Sequence, residues 1–143
     1  MMRISCMGLL IVCLFGCGTQ PADPVVVTDA RVRAVIPGSD KTVGYFSIKN
    51  YGSEPLAIIG ASASQVRTIE LHETTTIDGV SRMRRLKRVA VAPGEEVHFQ
   101  PGGKHLMLFG VGSLSEPLTM SLVLEDQSQV MVPVRIFDFT DAQ

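Results

Sequence analysis

The sequence predicts an all-β fold, a Greek-key sandwich or barrel. Short runs rich in β-branched and aromatic residues recur along the chain, turn chemistry interrupts them every eight to twelve residues, and no stretch sustains a helical period. These observations exclude a bundle or an α/β architecture.

The chain opens on a different kind of segment. Met1-Met2-Arg3 supplies a positive start, and Ile4 to Gly16 is an apolar run of 13 residues, shorter than the roughly 20 that span a bilayer as a helix. Residues 1–16 read as a secretory signal that is removed. Leu14-Phe15-Gly16-Cys17 resembles the lipobox of bacterial lipoproteins, which makes Cys17 the lipidated new N-terminus and residues 17–24, with Pro21 and Pro24, a short tether. Residues 25–143 are then one folded domain.

Removing the signal takes Cys6 and Cys13 with it and leaves Cys17 to the lipid, so the domain has neither thiol nor disulfide. The remaining 127 residues bury a single core without a staple. Losing Arg3 leaves 12 basic against 14 acidic residues, a balance that gives no footprint for nucleic acid.

Strands are expected at Val25–Val35, Val43–Lys49, Leu56–Ala61, Thr68–His72, Val80–Val91, Glu96–Gln100, His105–Val111, Leu118–Leu124 and Val130–Asp138. Pro37-Gly38, Asn50-Tyr51-Gly52, Asp78-Gly79, Pro93-Gly94 and Pro101-Gly102-Gly103 supply the turns, with Asp-Gly suited to a tight hairpin, and Ser62 to Gln65 reads as loop. Alternation turns Ile69, Leu71, Leu106, Leu108, Leu122 and Leu124 toward the core. His72, His105 and Met107 consequently lie on the opposite faces of their strands.

His72 and Met83, with His105 and Met107, form the spacing H-x10-M-x21-H-x-M. Two imidazoles and two thioethers suit soft monovalent copper, and thioethers neither titrate nor form disulfides, so the set works in an oxidising compartment. Taken singly, each methionine is more often core filler, as Met120 and Met131 are expected to be. Met83 differs in standing between Arg82 and Arg84, and Met107 in sharing a strand face with His105.

Four segments resemble the periplasmic copper chaperones of the PCuAC type. They are Thr42-Val43-Gly44-Tyr45-Phe46-Ser47-Ile48-Lys49-Asn50, Ile69-Glu70-Leu71-His72-Glu73-Thr74, Asp78-Gly79-Val80-Ser81-Arg82-Met83-Arg84 and Pro101-Gly102-Gly103-Lys104-His105-Leu106-Met107-Leu108. The resemblance spans roughly Ala30 to Val134. It implies a cupredoxin-like β-sandwich whose His72, Met83, His105 and Met107 ligate Cu(I), with Cu(II) as the other oxidation state. It also implies delivery to a copper-accepting client, such as the dinuclear copper centre of cytochrome oxidase. The chain departs from some members in its lipid anchor and in ending at Phe139-Thr140-Asp141-Ala142-Gln143, without a Met/His-rich tail.

Other chemistries lack their residues. A blue-copper centre needs a Cys thiolate, catalytic zinc recruits carboxylates or a third His, and neither a nucleophile elbow nor a phosphate loop occurs, so no enzymatic activity is expected. Copper storage or tolerance, and a metal-free interaction module of the cell envelope, are the competing functions. His98 alternates with Val97 and Phe99 and reads as surface. Glu70 and Glu73 flank His72 and are either acceptors orienting its ring or a solvated edge. Arg82, Arg84, Arg85, Lys87 and Arg88 read as a solvated strand edge, with docking to an acidic partner or anionic headgroups as the alternative.

Overall fold

The computed structural model describes residues 24–138. The expected signal, the expected lipidation site Cys17, nearly all of the expected tether and the chain end at 139–143 lie outside the described residues. Ten strands and no helix occur among those described: β1 (Val25–Arg33), β2 (Lys41–Asn50), β3 (Leu56–Ala63), β4 (Val66–Ile77), β5 (Val80–Arg85), β6 (Val89–Val91), β7 (Glu96–Phe99), β8 (Lys104–Val111), β9 (Leu118–Leu124) and β10 (Gln129–Phe137).

The sheet closes on itself. Successive pairings run β4 to β8, β8 to β2, β2 to β1, β1 to β10 in parallel, β10 to β9, β9 to β3, and β3 back to β4. β5 hangs from β4, β6 from β3, and β7 lies along β2 with a brief parallel contact to β8. Closure removes most of the open edges through which a β protein aggregates.

Inward residues of every wall meet in one core that includes Phe46, Ile48, Ile58, Leu71, Leu106, Leu108, Leu122 and Val132. Phe46 stacks on Phe99 with ring centroids 4.2 Å apart. Gly44 is where β1 and β8 close in, since a Cβ there would stand 3.2 Å from Val32 Cγ2 and 3.4 Å from Leu108 Cδ1. Asn50 is buried too, but its polar atoms are satisfied: Nδ2 donates to the Glu54 and Val91 carbonyls and Oδ1 accepts from Gly52 N–H, which builds the turn after β2.

Several expectations require correction. The run Val80–Val91 is two strands, because Leu86 N–H donates to the Leu71 carbonyl, the chain then leaves β4, and Val89–Val91 pairs with β3 instead. β4 continues past His72 to Ile77, carried by its ladder to β5 rather than by burial. Ser62 and Ala63 finish β3, so only Ser64 and Gln65 turn. Met131 is 63% exposed and is not core filler, since alternation in β10 turns Val132 and Val134 inward; Met120 is buried as expected.

Candidate metal centre

Register assembles the centre. β4 and β8 pair so that His72 faces His105 and Glu70 faces Met107, while β4 and β5 pair Thr74 with Met83 and His72 with Arg85. Alternation then gathers Glu70, His72 and Thr74 of β4, His105 and Met107 of β8, and Met83 and Arg85 of β5 on one outer face. Directly opposed Cβ atoms in such ladders stand about 4.5–5.5 Å apart. The Asp78-Gly79 turn makes the β5 register possible: both residues have positive φ, 52° and 76°, as a two-residue type I′ hairpin requires.

Each imidazole has one nitrogen occupied and one available. The Nδ1 of His105 lies 3.0 Å from the Gly103 carbonyl, an obligate acceptor, so the neutral ring carries its proton on Nδ1 and offers a lone pair at Nε2. That Nε2 is 3.2 Å from Met83 Sδ. His72 is oriented in the opposite sense: its Nε2–H donates to Glu70 Oε2 at 2.9 Å, and its Nδ1 is buried without a hydrogen-bond partner. The two rings stand 6.0 Å apart, centroid to centroid.

Exposure differs sharply across the cluster. His105 is 6% exposed although it lies on the outer face, whereas Met83, which reaches across to it, is 55% exposed. Met107 is half-buried beside His105, two residues along the same strand. A phenyl ring, Phe109, lies 6.4 Å from His72.

The glutamates separate into two roles. Glu70 holds His72 through one oxygen and Arg85 through the other, at 2.9 and 3.1 Å, so the arginine helps fix the carboxylate that orients the ring. Glu73 points to the other face, where Arg84 and Lys104 bind it at 2.8 and 3.1 Å; it does not touch His72. Those cations, Arg84 foremost, hold its carboxyl below the usual carboxylate range. His98 is exposed and bonds Ser47 Oγ at 2.8 Å, away from the cluster.

Sequence reasoning missed Arg85 and the Gly103 carbonyl as orienting groups. Arg85 was visible only as part of a basic run, and a backbone acceptor leaves no side-chain signal. The chemistry of the face follows from its donors. Among the described residues no group of three or more His, Cys, Asp and Glu is arranged to hold a metal; the face instead offers two imidazoles and the thioethers of Met83 and Met107, a donor set suited to a soft ion.

The fold defines a class, the PCuAC domain with its cupredoxin-like sandwich. The copper-bound PCuAC domain from PmoF2 superposes with a TM-score of 0.67 at 20% identity, over 83% of this chain and 97% of that one. The Cu(I) form of DR1885 from Deinococcus radiodurans gives 0.61 at 25% identity, over 84% of this chain and 82% of that one. The chain belongs to the family described as "Putative lipoprotein LpqE-like", whose model matches residues 25–136. A relative named "Putative lipoprotein Lxx21020", from Leifsonia xyli subsp. xyli (strain CTCB07), is 30% identical over 156 aligned positions covering 99% of this chain and 93% of its own length.

Proposed function

We propose that this protein is a copper carrier of the cell envelope, holding Cu(I) through His72, Met83, His105 and Met107 and passing it to a copper-accepting client. The observation that carries the reading is the pair of free ring nitrogens on one sheet face, one of them 3.2 Å from an exposed thioether sulfur. Family and fold add support, since the copper-bound PCuAC domain from PmoF2 and the Cu(I) form of DR1885 share the architecture. The dinuclear copper centre of cytochrome oxidase is the client the PCuAC resemblance suggests.

The chemistry suits transfer rather than catalysis. Thioether bonds are weak and carry no proton, so an incoming partner's ligands can displace Met83 first, from the solvent side, without general acid or base help. The buried His105 and the oriented His72 retain the ion until its new ligands are in place. In the same reading residues 1–16 are a cleaved signal, Cys17 anchors the protein to a membrane, residues 17–24 are the tether and 25–143 the copper domain. The lipoprotein names of the family and of the Leifsonia relative favour that anchor.

A Cu(I) competition titration tests the ligand set. The M83L/M107L variant should bind Cu(I) far more weakly than wild type, and so should H72A/H105A. An unchanged Cu(I) constant in the first variant would refute the thioether role, and an unchanged constant in the second would refute the histidines.

A further inference from the structure

Among the described residues β5 is the terminal strand of the sheet and is bonded to β4 alone, so its outer edge presents backbone N–H and C=O groups that none of those residues pairs. All six of its residues are exposed. At the hairpin tip Ile77 and Val80 are 65% and 55% exposed, and Met83 stands in mid-strand against His105.

Charge gives the edge a polarity. Arg84, Arg85 and Arg88 are tied to Glu73, Glu70 and Glu125, but among the described residues Arg82 and Lys87 make no ion pair. A second copy pairing through β5 would set arginines against arginines, which is destabilising. An acidic extended segment meets the reverse situation, gaining ladder hydrogen bonds and cation partners together. A purely protective edge accounts for the arginines but leaves Ile77 and Val80 exposed at the hairpin tip without a role. A lipid surface could take the charges, yet it offers no backbone to satisfy the strand.

We propose that β5 is a docking edge for an acidic protein partner, which adds an extended segment along Val80–Arg85 and so brings its own ligands against Met83. That the partner also accepts copper rests on the carrier reading above; the docking itself does not.

The full chain purified in detergent is titrated with a short peptide of alternating Glu and Val, with its Lys-Val counterpart, and with phosphatidylglycerol vesicles compared against phosphatidylcholine. The comparison is wild type against R82E/K87E, two changes that break no ion pair among the described residues. The acidic peptide should bind wild type, weaken as salt is raised, and lose about tenfold or more in the variant, while the Cu(I) constant stays the same. Equal binding by wild type and variant, or equal binding of the Lys-Val peptide, would overturn the proposal. So would dependence on Arg82 and Lys87 seen with phosphatidylglycerol alone, which would make the edge a membrane contact, or self-association through β5. Loss of the carrier reading would show separately, as Cu(I) binding indifferent to M83L/M107L.

Discussion

Two exposed methionines separate position from mere accessibility. Met83 and Met131 are 55% and 63% exposed, yet only Met83 lies against an imidazole nitrogen. M131L should therefore leave the Cu(I) constant untouched where M83L lowers it; equal effects would mean that the thioether at Met83 has no special role. Glu70 permits a finer test, because it binds His72 and Arg85 through different oxygens. E70A should weaken Cu(I) binding about ten- to a hundredfold, the usual loss when an acceptor that orients a ligating histidine is removed. Circular dichroism melting should show little change, and a Cu(I) constant equal to wild type would remove Glu70 from the centre. The four ligand candidates could be read from spacing and alternation. That His105 would be buried on an outer face could not, since Met83 reaches it from a strand 22 positions earlier.

The β4–β5 hairpin carries one candidate ligand on a strand with no buried residue. Backbone pairing holds it, helped by Glu73, which clasps Arg84 across the hairpin and Lys104 on β8. Both cations lower the folded-state affinity of Glu73 for protons. The stabilisation is therefore present above the carboxyl's unfolded value and is lost as pH falls through the lower folded one. E73Q should cost about 1 kcal/mol at neutral pH and flatten the acid limb of a melting-temperature profile; an unchanged limb would show the clasp to be energetically idle. Asp78-Gly79 announced this hairpin in the sequence. Its length was hidden, because Glu73-Thr74-Thr75-Thr76 shows no apolar alternation, and the break after β5 depends on a change of partner from β4 to β3 that only tertiary structure supplies.

At the scale of the molecule, the closed sheet keeps stability and site on opposite faces of the same strands. Leu106 is fully buried between His105 and Met107, which face outward. L106A should destabilise the fold by about 2–5 kcal/mol in urea unfolding, as large-to-small changes in a packed core do. Met107→Leu, by contrast, should leave the urea midpoint almost unmoved; a loss as large as that of L106A would make Met107 a core residue. The all-β class and the inward leucines followed from period-two alternation, which local sequence carries. The parallel β1–β10 pairing joins the two ends of the domain and has no local signature.

X-ray absorption at the copper edge of the Cu(I)-loaded protein addresses the central claim most directly. Two sulfur and two nitrogen scatterers, with the sulfur shell reduced in M83L and again in M83L/M107L, are expected. A first shell of nitrogen and oxygen alone, unaltered by either substitution, would contradict a copper centre built from His72, Met83, His105 and Met107.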